Sequence, residues 1–342
     1  MTVVRVINAT PVEIFPPQLL QFQRIELVPG ISVSRYSGPI ARQIDRMSES
    51  IRQSSPQAGV VSGSHLLLVD QTRYFDELEK RLNAEGKALD REHLGWLGLD
   101  GVIRQVLMSA TLLWQPAWKF GGAYEFRRHD GVLSDHGTSF SNKPVEQVSD
   151  LFRFGSDNVW NHNAQPAAWR ALCGKLDRYY RGGTWWNDRL GVALGYLWSA
   201  VTTKHPELAF TALCMALEAI ATTARMEVSH TLAVRCSLIA RISLRDRSEL
   251  YKELKDIYTL RSAVVHGRSE PKKGMLTRES LAITARRSYF PRAKLLKLLE
   301  ITIEVISGVL GNPNLLKIIQ TKQTEGQADQ QIDAYFLELV LR

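Results

Sequence analysis

The segment from Leu208 to Ala221, within HPELAFTALCMALEAIATT, is apolar on nearly every side of a helix. Such a helix cannot lie on a surface. Other elements must wrap it, which makes a bundle of helices the natural architecture around it. Pro206 is placed for its first turn. One residue interrupts the apolar run: Glu218. A carboxylate in that position needs a cation or hydrogen-bond donors. Two arginines on neighbouring helical stretches are candidates. Arg235 shares a face with Leu232, Leu238 and Ile239, and Arg261 falls in line with Ile257 and Val264. Breaking such a buried pair would cost about 3–5 kcal/mol.

Other apolar periodicities supply the wrapping. NDRLGVALGYLWSAVTT, SHTLAVRCSLIARISL, DRSELYKELKDIYTLRSAVVHG and PRAKLLKLLEITIEVISGVLG all read as helices, so residues 186–312 are expected to form the bundle. Ser229 is a plausible N-cap for the third helix of the series, and Gly267 a stop for the fourth. Residues 313–342 read as a turn at GNPN, a polar linker and a short amphipathic helix, IDAYFLELVLR. That helix carries too many apolar residues to stand alone and is expected to be an assembly or docking element.

The rest of the chain is less regular. Residues 1–90 hold four β-like runs, VVRVINA, QRIELV, ISVSRY and HLLLVDQ, separated by Pro, Gly and Ser. A smaller mixed or β-rich N-terminal region of unknown role is expected there. SESIRQSSPQAGVVSGS reads as a loop or linker, and YFDELEKRLNAEG as a helix. Residues 91–185 are expected to be a helical, aromatic-rich connecting subdomain. They contain the apolar helix LGLDGVIRQVLMSATLLW and then WQPAWKFGGAYEFRRHDG and YYRGGTWW. Tryptophans among arginines suit base stacking, but a packed irregular subdomain is the plainer expectation. The fold class expected overall is mainly α.

Three cysteines, Cys173, Cys214 and Cys236, show no zinc-pair spacing and read as buried thiols in a reducing cytosol. No metal and no cofactor is expected. MTVVRVINATPVEIF has no basic region leading into a long apolar run, so no signal peptide is expected. The best candidate for a membrane span, LLKLLEITIEVISGVL, carries Lys297, Glu300 and Glu304, so no membrane span is expected and a cytoplasmic location is. The formal charge of +8 fits a polyanionic partner such as RNA.

The stretch LRSAVVHGR sharpens that expectation. His266 follows Arg261 at the end of its helix, where the carbonyl ends favour a positive imidazole and a proton carrier near neutral pH. The step between them turns about 140° on an ideal helix. A long arginine and a loosened last turn could still bring both heads to one phosphate.

These residues resemble the R-x4-6-H signature of HEPN domains. With ALEAI, LAVRCSLIA and YTLRSAVVHGR in order, residues 186 to 310 look like the ApeA-like HEPN branch. The resemblance implies an all-α domain, often a dimeric, metal-independent ribonuclease, and a toxin or antiviral defence role. It assigns catalysis to Arg261 and His266 and a supporting position to Ser262; Glu218, Arg235 and Tyr258 are expected to support the pair from the surrounding helices. Ser262 stands where many HEPN domains carry Asn, Asp or His. In the implied chemistry the substrate's own 2′-hydroxyl attacks, His266 moves protons and Arg261 steadies the phosphate. Two motifs meeting in a homodimer or higher homo-oligomer would supply a second proton carrier. RNA would also meet the basic stretch with Arg268, Lys272, Lys273, Arg286 and Arg287, opposed only by Glu270 and Glu279. The N-terminal region would then sense a trigger, restrain the nuclease or meet a regulatory protein partner. The alternative is a non-catalytic HEPN module for binding or assembly, in which Arg261 only neutralises Glu218.

Overall fold

The computed structural model describes residues 5–14, 24–54, 65–84, 91–114, 118–120, 124–129, 132–139, 146–147, 151–152, 166–181, 188–222, 228–240, 244–265, 292–320 and 327–341. Eleven helices and eight strands lie among them, so the chain is mainly helical with an antiparallel sheet in its N-terminal part. It divides into two compact units. One comprises residues 1–148 and 156–183, the other residues 149–155 and 184–342.

The first unit holds the sheet. Strands β1 (Arg5–Ile14), β2 (Arg24–Val28), β3 (Ile31–Arg35) and β4 (His65–Asp70) are the four β-like runs of the sequence. β5 (Trp118–Phe120), β6 (Tyr124–His129), β7 (Val132–Ser139) and β8 (Glu146–Gln147) complete it. The order is β2-β3-β4-β1-β5-β8, with β6 also on β1 and β7 on β6, and every pairing is antiparallel. Pro29 and Gly30 make the β2–β3 turn. Gly30 has φ +82°, which an L side chain would resist, and its N–H donates to Glu26. Ile25, Leu27, Ile31, Val33, Leu66 and Leu67 form the buried heart of β2–β4.

Four helices belong to this unit: α1 (Gly38–Ser54), α2 (Gln71–Ala84), α3 (Arg91–Trp114) and α4 (Pro166–Arg181). α3 and α4 pack together, and Val106 and Leu107 of α3 and Trp169, Cys173 and Leu176 of α4 are buried. Two side-chain donors inside that contact are paired. Gln105 Nε2 donates to Cys173 O at 2.7 Å, and Trp169 Nε1 to Ser109 Oγ at 2.8 Å.

The second unit is a helix assembly. It contains α5 (Arg189–Thr202), α6 (Pro206–Ala221), α7 (Val228–Ile239), α8 (Leu244–Val265), α9 (Arg292–Gly311), α10 (Pro313–Gln320) and α11 (Gln327–Leu341). α6 is its centre and touches α5, α7, α8 and α9, as its apolar circumference requires. Pro206 occupies its first turn, and Asp188 caps α5 by accepting from Gly191 N–H. α9 is buried along most of its length. Gly308 lets it approach α7 so closely that an added Cβ would collide with the Ile239 carbonyl oxygen.

Four local expectations change. Residues 48–54 of the Ser-rich stretch belong to α1, because Ile40, Ile44, Met47 and Ile51 continue a helical spacing through the serines. GNPN does not simply turn: Asn312 caps α10 by accepting from Leu315 N–H, with Pro313 leading the helix. Ser229 lies inside α7, which begins at Val228, and so is not its N-cap. The aromatic-rich stretch after α3 contributes β5 to β8 to the sheet.

Candidate active site

α8 reaches α6 through a stripe. Leu250, Leu254, Ile257 and Tyr258 are buried at helical spacing, and Arg261 lies one turn further on. That turn faces the last turn of α6, where Glu218 sits. Tyr258 Oη donates to Glu218 Oε1 at 2.8 Å. Arg261 Nη2 lies 2.9 Å from the same oxygen and donates to Oε2 at 3.1 Å. The guanidinium carbon of Arg261 is 5.7 Å from the centre of the Tyr258 ring. One carboxylate therefore gathers a phenol and a guanidinium from α8.

The cluster is half-buried. The Arg261 and Glu218 side chains keep 29% and 22% of their exposure, so solvent and solutes still reach them. Both Glu218 contacts run through Nη2. Arg261 Nε is buried and meets no hydrogen-bond partner among the described residues. Such an orphaned donor costs on the order of 1–3 kcal/mol.

Burial raises the Tyr258 pKa far above its ordinary value, and the Glu218 charge pushes the same way. Tyr258 is thus a phenol that donates to Glu218 and not a phenolate. Cys214, one turn before Glu218 on α6, is pushed up to about 12, mainly by burial, with Arg261 pulling the other way. It is an inert thiol at neutral pH. Cys173 and Cys236 are likewise buried thiols outside any disulfide.

Of the residues singled out in the sequence, Glu218, Tyr258 and Arg261 converge. Ser262 is exposed beside them. Arg235 does not join: its guanidinium pairs with Asp333 of α11 and donates to the Ala221 carbonyl at 3.0 Å. Between the two arginines, Glu218 takes Arg261. His266, Arg268, Lys272, Lys273, Arg286 and Arg287 lie outside the described residues, as does Gly267.

Sequence reasoning missed Arg189 and the acidic face of α11. Arg189 donates to the carbonyls of Ala219 and Thr222 at 3.2 and 2.6 Å and pairs with Asp329. The only prior signal was the one-turn spacing of Asp329 and Asp333. Among the described residues no helix is long and apolar enough to cross a membrane, and no three His, Cys, Asp or Glu side chains gather as a metal site. No protein-family model, curated protein or solved structure matches the chain.

Proposed function

We propose that the helical unit is a metal-independent endoribonuclease of HEPN type, acting as a toxin or antiviral defence effector. The observation that carries this reading is the state of Arg261. It is a half-exposed guanidinium held in place by Glu218 and Tyr258, one turn before the end of α8 and just upstream of His266. A fork fixed before substrate arrives loses little freedom on binding a phosphodiester.

The chemistry follows from RNA itself. Deprotonation of the 2′-hydroxyl lets its oxygen attack the adjacent phosphorus. The bond to the 5′-oxygen then breaks, and that oxygen takes a proton. His266 serves as the proton carrier and Arg261 stabilises the charge on the phosphate oxygens. Glu218 and Tyr258 orient Arg261. Pairing of two such units as a homodimer would set a second His266 on the opposite side of the phosphate. The basic stretch with Arg268, Lys272, Lys273, Arg286 and Arg287 would track the RNA backbone.

One observation favours a second reading. Glu218 already neutralises Arg261, which is what a purely structural ion pair would do. The unit would then be a non-catalytic module for binding or assembly. His266→Ala separates the two. The nuclease reading expects RNA cleavage by the wild type and a loss of at least about a hundredfold in the variant. Equal activities, or none in either protein, would favour the module.

A further inference from the structure

Two arginines connect α11 to the end of α6. Arg189, at the start of α5, donates to the Ala219 and Thr222 carbonyls and pairs with Asp329. Arg235, on α7, donates to the Ala221 carbonyl and pairs with Asp333. The last carbonyls of a helix have no partner within it, and a guanidinium there satisfies them and complements the helix dipole. Each arginine thus bridges an α6 carbonyl on one side and an α11 carboxylate on the other. Asp329 and Asp333 are one turn apart, so one face of α11 meets both.

Apolar contacts seat the same face. Ile332 and Phe336 are buried, the Arg235 guanidinium carbon is 5.0 Å from the Phe336 ring centre, and Asn312 Nδ2 donates to Tyr335 Oη at 2.7 Å. Leu337, on the outer side, is exposed. The end of α6 that is held in this way carries Glu218. Thr222 donates to the Glu218 carbonyl through both its N–H, at 3.0 Å, and its Oγ1, at 2.7 Å. A continuous path therefore runs from Asp329 through Arg189 and Thr222 to Glu218, and from there to Arg261 and Tyr258.

We propose that α11 is an intramolecular strap: by holding Arg189 and Arg235 against the last turn of α6, it keeps Glu218 in its bridge to Arg261. The carboxylates of Asp329 and Asp333 are 37% and 53% exposed, so dissolved salt reaches both pairs and weakens the strap. Release of α11 loosens the Arg261 cluster without touching it. This holds for the folded unit whether or not that unit cleaves RNA.

Hydrogen exchange of the full chain, read by mass spectrometry, tests the strap. The variant carries Asp329→Asn and Asp333→Asn. Amides of α11 and of residues 216–222 should exchange faster by about tenfold, while those of α9 stay at the wild-type rate. Should the double variant fold poorly, Asp333→Asn alone should show a smaller acceleration in the same two segments. Raising salt on the wild type should reproduce the pattern. Acceleration in α11 with residues 216–222 unchanged would overturn the proposal, because α11 would then be a passive appendage. So would no change in either segment, or an equal acceleration of α9.

Discussion

Arg261 Nη2 stands 2.9 Å from Glu218 Oε1, an oxygen that also accepts from Tyr258 at 2.8 Å. A charge on the most apolar helix of the unit is thereby satisfied by two residues of a single neighbour, spaced one turn apart on α8. The arrangement fixes the rotation of α8 against α6, because turning α8 would strand the carboxylate among apolar side chains.

The three residues should behave as one thermodynamic group. Arg261→Ala should lower unfolding free energy by about 1–3 kcal/mol, less than a fully buried pair because both partners keep some water. Tyr258→Phe should cost about 1–2 kcal/mol. Urea unfolding of a cycle combining Arg261→Ala with Glu218→Gln should show coupling above about 0.5 kcal/mol. Strictly additive losses would mean that the pair contributes nothing as a pair.

Gly308 should tolerate no side chain. In Gly308→Ala the new methyl group would meet the Ile239 carbonyl oxygen, and α7 and α9 would have to separate. A loss of about 1–3 kcal/mol is expected in spite of alanine's better helix propensity. A melting temperature at or above that of the wild type would show that the two helices have room to adjust.

His65 should make the chain sensitive to mild acid. Burial, with Arg35 beside it, lowers its pKa from 6.5 to about 4 in the folded chain. Between those values the unfolded chain binds a proton that the folded chain refuses. Stability therefore falls as pH drops from 6.5 towards 4. Thermal melts across that window should show the decline in the wild type and a flatter profile in His65→Gln. An equal slope in both would assign the acid sensitivity to other groups.

Legibility followed how local each signal was. α6 was readable because its apolar circumference leaves it only one place in a bundle, and Glu218 stood out for the same reason. The choice of Arg261 over Arg235 was not readable. Both arginines lie on apolar stripes, and only the rotation of α7 and α8 about their axes decides which one meets Glu218. The role of Arg235 depends on Asp333, nearly a hundred residues away in sequence. The helix over residues 48–54 was hidden by its serines, although Ile44 and Ile51 kept the spacing. β5, β6 and β8 were missed because the pairings of β5 and β6 to β1 and of β5 to β8 are long-range. β6 and β7 pair locally, with His129 opposite Val132, but in an aromatic, glycine-rich stretch that does not alternate cleanly. Asn312 and Pro313 gave a turn signal that serves equally to start a helix.

The most direct test of the proposed nuclease is the chemistry of its product ends. Purified full-length protein should be incubated with one defined RNA in excess EDTA, and the fragments examined by mass spectrometry. A 2′-hydroxyl attack assisted by His266 and Arg261 predicts cleavage that survives the chelator. The upstream fragments should end in a 2′,3′-cyclic phosphate or its 3′-phosphate hydrolysis product, and the downstream fragments in a 5′-hydroxyl. DNA of the same sequence should remain intact, because it lacks the attacking group. Fragments bearing 5′-phosphates, or RNA that stays whole in EDTA and is cut only when a divalent metal is added, would contradict the account.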